Sequence, residues 1–383
     1  MASVTKTQRK RKKCDANGLP VLSPKGKPVW IETGDYYWLL TYRDNSATRR
    51  EVKRRFKRRA DAEQFLKEVT VDLVLNRYVS PGAGKLSLRD FVEMNWLPAQ
   101  THRKSTKDQV ARHLKNHIYP AFGDKRLDAI RASDASRFIA TLSSTLQPAT
   151  GSVIYRYASS IFNAAVREKV IAESPLRGIK TPRVPPKKVR PPTTETILHI
   201  VNACPSRYRA LVILTAATGL RQGEAFGVTL DRLNLDAREI HIDRQLASVN
   251  GQSPEFSPPK TAASVRVVPL PDIAISALRK HLDEWPPGST GLVFTNTLNL
   301  PLRRAAFGHA WQSILASAGV PHTTFHGLRH YYASLLIQAG ESVKAIQSLL
   351  GHASAVETLD TYGHLWPGSD QRVRGAVDAE LKV

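Results

Sequence analysis

The sequence predicts a multidomain protein in three parts: a small α+β domain over residues 1–80, an all-α domain over 85–181, and a mainly helical α+β domain over 193–383. Three observations predict it. Strand-like alternation and one helical stripe share the first eighty residues. Breakers at 80–84 then open a run that keeps helical spacing to about residue 177. A proline-rich basic stretch at 181–192 separates that run from a last segment in which helices outnumber short strands.

Taken in order, residues 8–13 (QRKRKK) read as a flexible basic arm. Strands follow at 28–32, 35–42 and 48–56, and Tyr36, Trp38, Leu40 and Tyr42 alternate onto one face of the second. A helix over 60–77 carries Ala62, Phe65, Leu66, Val69 and Leu73 on its apolar side. Between sheet and helix, Arg54, Arg55, Lys57 and Arg58 are candidate phosphate contacts, with a plainly solvated basic face as the alternative. SPGAG at 80–84 is a short linker.

Helices are then predicted over 87–96, over 105–118 with Val110, Leu114 and His117 along one stripe, after a cap at Ser133, and over 150–170. TPRVPPKKVRPP at 181–192 resists helix formation and reads as an extended basic linker, with Lys187 and Lys188 as candidate contacts to an anionic partner. The last domain has helices near 194–203, 208–217, 272–284 and 303–317, and strands at 239–243 and 265–268. The tail after Tyr362 is short and polar. Val373 and Val377 there suit either contact with another protomer or a frayed end.

Composition narrows the class of function. A net charge of +23 calls for a polyanionic partner, and residues 1–60 alone hold seventeen Lys or Arg against five Asp or Glu. Two isolated cysteines, Cys14 and Cys204, do not make a disulfide framework and favour a reducing interior. No apolar run approaches the roughly 20 residues that span a bilayer, and the basic start lacks a secretory apolar segment, so a cytoplasmic location is expected.

The chemistry gathers in the last domain. In HGLRH at 326–330, a spacing of three puts His326 and Arg329 on one helix face, offering a phosphate both a proton carrier and a planar charged fork. Val343, Ile346, Leu349 and Leu350 make a short amphipathic helix that Gly351 stops, so that His352 emerges at its end. Tyr362 lies ten residues on, at helical spacing from Ala355 and Leu359.

Upstream, the helix over 211–217 ends at Gly219. Arg221 and Glu224 open the next, where a helix start would favour an anion and Glu224 could hold the guanidinium. Lys260 precedes the alternating 265–269 segment and is placed at a hairpin tip. Each residue has a bland reading as core or surface; their conjunction points to a phosphate site with a tyrosine nucleophile. His326 and His330 at i and i+4 also allow a zinc ion, but no Glu follows the first His and no clustered cysteines complete a set. No metal and no cofactor are expected.

ATGLRQGE at 217–224, PKT at 259–261 before VRVVPL, HGLRH, LGH at 350–352 and TLDTYGHL at 358–365 occur in this order, and the set resembles the tyrosine recombinases, the phage-integrase type of site-specific DNA recombinase. The resemblance covers about 193 to the C-terminus. It implies that Tyr362 attacks a phosphodiester to give a 3′-phosphotyrosyl link and a free 5′-hydroxyl. Arg221 and Arg329 would neutralise the phosphate, helped by His352. Lys260 would serve as general acid, His326 would assist proton transfer, and Glu224 would be the supporting acid.

The same resemblance implies an arm-type DNA-binding domain at the N-terminus and a core-binding helical domain that closes a clamp on DNA. It further implies double-stranded DNA with core and arm attachment sites as partner, a homotetramer, and host DNA-bending and directionality proteins. A topoisomerase IB-like enzyme and a DNA-binding regulator without catalysis are the alternatives.

Overall fold

A fourteen-residue strand organises the N-terminal part of the computed structural model, which describes residues 2–14, 19–25, 27–43, 51–75, 78–80, 82–180, 184, 188–247, 253–259, 261–366 and 370–381. The chain forms two units, Met1–Arg103 with Gln109–Pro185 and Lys104–Asp108 with Pro186–Val383.

In the first unit β1 (Ser3–Lys12), β2 (Trp30–Arg43) and β3 (Glu51–Phe56) make an antiparallel sheet with β2 central, backed by α1 (Arg59–Val74). Two expectations are corrected here. The basic run at 8–13 is not a free arm: through Lys12 it is an edge strand whose backbone pairs with β2, and Lys10 Nζ lies 3.7 Å from Glu32 Oε1 of that strand. The strands expected at 28–32 and 35–42 are one strand. The gap between them is a bulge in which Thr33, Gly34 and Asp35 oppose Arg9, with Gly34 at φ +80° and the Thr33 hydroxyl donating to the Arg9 carbonyl at 3.0 Å. Residues 48–50 of the third predicted strand lie outside the described residues. Leu40 and Tyr42 are buried against Val69 of α1, as the alternation requires.

The chain then turns helical: α2 (Leu88–Phe91) runs into a π turn (Val92–Trp96), α3 (Lys104–His113) into a longer one (Leu114–Gly123), and α4 (Ala132–Thr145) and α5 (Pro148–Arg167) follow. The π turn inserts an extra residue, so Val110 and Leu114 are continued in the core by Ile118, while His117 stays half-buried. Ser133 is not the cap of α4. The helix begins a residue earlier, and Asp134 takes the Arg131 backbone N–H at 3.1 Å. The core is aromatic, with Phe122 edge-on to Phe138 and Phe162 at 4.9 and 5.6 Å.

The second unit opens with α6 (Thr194–Ala203), α7 (Ser206–Thr218) and the short α8 (Gln222–Phe226). A sheet of β4 (Leu233–Asn234), β5 (Glu239–Ile242) and β8 (Arg266–Pro269) lies apart from a hairpin of β6 (Gln245–Ala247) and β7 (Glu255–Ser257). Then come α9 (Asp272–Glu284), α10 (Arg304–Ala318), α11 (Gly327–Gln338), α12 (Val343–Leu350), α13 (Ala355–Tyr362) and α14 (Asp370–Glu380).

α11 is apolar on two sides. Leu328 and Tyr331 enter the main core around α7 and α10, and Tyr332, Ala333 and Ile337 enter a smaller one with Ile346, Leu350 and Tyr362. That double burial fixes α11, and with it Arg329, between the two cores. Cys14 and Cys204 are both free, the second buried. No helix among the described residues is long and apolar enough to cross a membrane. Val377 on α14 is exposed, and the side chain of Val373 lies outside the described residues.

Candidate active site

Two left-handed turns and two helix ends bring the candidates together. Gly219 ends α7 at φ +64° and Gly351 ends α12 at φ +65°, conformations an L side chain resists. Space demands glycine as well: a Cβ at Gly219 would collide with the Tyr332 ring and sit 3.0 Å from Leu350, and one at Gly351 would sit 2.9 Å from Arg266 Nη1. His326 caps the start of α11, and Tyr362 is the last residue of α13.

Arg221 is the hub. Its Nη1 donates to Glu224 Oε1 at 3.0 Å and to Ser264 Oγ at 3.2 Å, and its Nη2 donates to the Gly351 carbonyl at 2.8 Å. Glu224 is buried and also accepts the Arg221 backbone N–H at 2.9 Å. The amide that the sequence offered to a phosphate is therefore committed to Glu224, and α8 is only five residues long. What Arg221 presents to a ligand is its guanidinium.

A residue not singled out from the sequence completes this network. Arg266, at the start of β8, donates from Nη2 to Glu224 Oε2 at 2.9 Å, from Nε to the Leu349 carbonyl at 2.7 Å and from Nη1 to the Ser264 carbonyl at 2.9 Å. Burial pushes the Glu224 carboxyl up, but the charge and hydrogen bond of Arg266, with those of Arg221, outweigh it and hold Glu224 below the usual carboxylate range.

Arg329 is almost fully buried and donates from Nη1 to the Gly219 carbonyl at 2.8 Å. Burial, then repulsion from Arg221, lower it to about 10, so it remains charged at neutral pH. His352 is buried, with Nδ1 2.8 Å from Thr358 Oγ1 and its ring parallel to that of Tyr362 at 6.4 Å. Burial, with the charges of Arg329, Arg221 and Arg266, holds it down at about 3. His326 sits at the exposed lip of the site. Burial of its inner edge, His330 and Arg329 lower it to about 4, a shift that solvent weakens.

Tyr362 is 1% exposed, and its hydroxyl lies 2.9 Å from Nδ1 of His330. Burial pushes the phenol up to about 12, against the opposing pull of Arg329 and Arg221. His330 thus turns to Tyr362. Among the described residues no group of three or more His, Cys, Asp or Glu is placed to hold a metal.

The structure therefore brings Arg221, Glu224, Arg329, His352 and Tyr362 together, with His326 at the edge. Lys260 and Lys187 lie outside the described residues, while Lys188 is exposed. The N-terminal candidates do not share a face. Arg54 pairs opposite Leu40, on the helix side, its guanidinium 4.2 Å from the Phe65 ring. Arg55 pairs opposite Leu39 on the open side, 4.9 Å from the Tyr37 ring. Lys57 and Arg58 are exposed at the turn into α1.

Residues 188–367, which hold this whole cluster, match the phage integrase family. The chain carries a phage integrase family domain. The relatives it resembles are described as tyrosine recombinases and integrases. A tyrosine recombinase XerC-like protein of Caldanaerobacter subterraneus subsp. tengcongensis is 31% identical over 55% of this chain, which spans 61% of that relative's length. A putative prophage phiRv2 integrase of Mycobacterium tuberculosis is 28% identical over 73% of this chain and 74% of its own.

The fold agrees with the family. The Tn1549 transposon integrase in complex with a circular intermediate DNA superposes with a TM-score of 0.64 at 19% identity, over 76% of this chain and 99% of that one. A lambda integrase dimer bound to a core site gives 0.59 at 17% identity, over 94% and 98%.

Proposed function

We propose that the protein is a site-specific tyrosine recombinase, an integrase that cuts and rejoins double-stranded DNA through a covalent tyrosyl intermediate. Tyr362 Oη attacks the scissile phosphorus, forming a 3′-phosphotyrosyl ester and releasing a 5′-hydroxyl. Arg221 and Arg329 face the non-bridging oxygens and neutralise the charge that grows there, the main source of rate in phosphoryl transfer. His352, neutral at pH 7, donates a hydrogen bond to the same oxygens. Lys260 protonates the leaving 5′-oxygen, His326 assists at the lip, and Glu224 holds Arg221. One phosphate ester replaces another of similar energy, so rejoining by a new 5′-hydroxyl needs no external energy source.

One observation carries this reading: two arginines, a histidine and a tyrosine from four separate segments converge, Arg221 bonding the Gly351 carbonyl next to His352, Arg329 bonding the Gly219 carbonyl two residues before Arg221, and the His352 ring lying parallel to that of Tyr362 at 6.4 Å. Residues 1–80 act as an arm-site domain and 85–181 as a core-site domain, with Arg54, Arg55, Lys57, Arg58, Lys187 and Lys188 contacting phosphates. The protein works in a bacterial cytoplasm as a tetramer on paired sites, with DNA-bending and directionality proteins, to integrate and excise a phage or mobile element. The DNA complexes of its structural neighbours, among them a lambda integrase tetramer on a Holliday junction, support this.

The test is a suicide DNA substrate nicked beside the cleavage point, drawn from the site the purified protein protects. Wild-type protein should accumulate a covalent adduct. Tyr362→Phe should form none while binding the same DNA, and an adduct with Tyr362→Phe would remove the assignment.

A further inference from the structure

His330 has no role in the steps above, yet it is the hydrogen-bond partner of the nucleophile. Its Nδ1 lies 2.9 Å from Tyr362 Oη, and the two rings meet edge to face with centroids 5.6 Å apart. The neighbouring candidates point elsewhere: Arg329 spends a donor on the Gly219 carbonyl and His352 turns its Nδ1 to Thr358. The rings of His326 and His330 meet edge to face with centroids 4.7 Å apart. Consecutive residues of a helix project about 100° apart. Arg329 can therefore face the phosphate while His330, on the same turn of α11, faces the phenol at the end of α13.

We propose that His330 is a catalytic residue, the proton acceptor for Tyr362. This rests on the strand-transfer reading above. In the resting site the imidazole carries its proton on Nε2, and the phenol donates to Nδ1. As the Oη–P bond forms and the P–O5′ bond breaks, the phenolic proton passes to Nδ1, leaving an imidazolium, and the 5′-oxygen takes a proton from Lys260. On rejoining, the incoming 5′-hydroxyl attacks phosphorus and returns its proton to the Lys260 amine, the P–Oη bond breaks, and the phenolate recovers its proton from His330. Protons and charge balance in both directions.

The electrostatics fit this order. Burial, then the charge of Arg329, hold His330 near 4, and burial holds Tyr362 near 12, so the resting pair is a neutral imidazole and an intact phenol. Attack adds negative charge to the phosphoryl oxygens, which makes a nearby imidazolium more favourable, while the growing Oη–P bond is what makes the phenolic proton acidic. His330 also accounts for a phenol made less acidic by burial: it supplies the base that the arginines, as permanent cations, are unable to supply.

The experiment is single-turnover adduct formation on the nicked substrate, with DNA affinity measured alongside. His330→Ala and His330→Asn should both slow the adduct by about a hundredfold or more with affinity unchanged. Asparagine keeps a hydrogen-bond acceptor near the Nδ1 position but takes up no proton. Added imidazole should restore His330→Ala at least about tenfold. A substrate with sulfur in place of the leaving 5′-oxygen should rescue Lys260→Ala, whose lost step is leaving-group protonation, and should not rescue either His330 variant.

A His330→Asn protein as fast as wild type, an alanine variant that imidazole leaves unrestored, or rescue of the His330 variants by the sulfur substrate would each overturn the assignment. Absence of any wild-type adduct would instead remove the strand-transfer reading, so the two failures are distinguishable.

Discussion

Replacing Arg266 by methionine keeps a long apolar side chain in place but removes one guanidinium from a buried network. Three donors disappear, to Glu224 at 2.9 Å, to the Leu349 carbonyl at 2.7 Å and to the Ser264 carbonyl at 2.9 Å. Two neutral carbonyls then lose partners at about 1–3 kcal/mol each, and Glu224 loses one of its two guanidinium partners. Breaking a buried ion pair from one side costs about 3–5 kcal/mol when the remaining charge is left unpaired; Glu224 keeps Arg221, so the combined loss is set at about 4 kcal/mol. Arg221 still holds Glu224 through two bonds, which keeps the cost from rising further.

Hydrogen exchange at the amides of α7 and α11 reads the stability of this unit without assuming that the whole chain unfolds as one. The same variant should slow adduct formation at least tenfold, because Arg266 ties the segment of Arg221 to the turn before His352. Arg266→Lys, with a charge but no planar fork, should recover less than half of the loss. An Arg266→Met protein within about 1 kcal/mol of wild type, cleaving at the normal rate, would refute the view that this buried pair positions the site.

Three further outcomes are expected. His352 and half-buried His330 sit at about 3 and 4 against an ordinary 6.5, so below pH 6.5 the unfolded chain takes up protons that the native site refuses. Stability present above pH 6.5 should fall toward pH 5 by about 1–2 kcal/mol per unit. A urea midpoint flat over that range, or one whose slope His352→Gln leaves unchanged, would contradict the shifts.

Gly219→Ala should cost about 2–4 kcal/mol, from the left-handed backbone and the clash with Tyr332, and should slow cleavage by moving the carbonyl that holds Arg329; thermal melting together with the adduct assay checks both. Arg55→Ala with Lys57→Ala should lower the slope of log affinity against log salt on arm-site DNA by about 2, whereas an unchanged slope would place the DNA on another surface.

Several parts of this molecule were legible as sequence. The helices over 194–203 and 272–284 carry their own periodicity and end signals, and α6 and α9 occupy those residues. Gly219 and Gly351 announced left-handed helix ends because that conformation is a local backbone property. The order of the five motifs resembled the family whose domain residues 188–367 match.

Other features were not local. The basic run at 8–13 looked like a tail because charge alone does not say whether a backbone finds a partner, and β2 supplies one about twenty-five residues away. Nothing in the alternating 265–269 segment singles out Arg266; only the approach of Glu224, 42 positions earlier, and of the Leu349 carbonyl, 83 positions later, gives its charge a buried use. His330 entered only as one half of a zinc pair that the sequence itself disfavoured; its partner Tyr362 comes across on α13 from 32 residues downstream. By itself the sequence determined which chemical groups are present and which turns carry them, because propensity and residue type act over a few residues. The tertiary structure alone decided which groups share hydrogen bonds and which lose their water, because burial and charge coupling depend on distances that the packing of α7, α11, α12 and α13 sets.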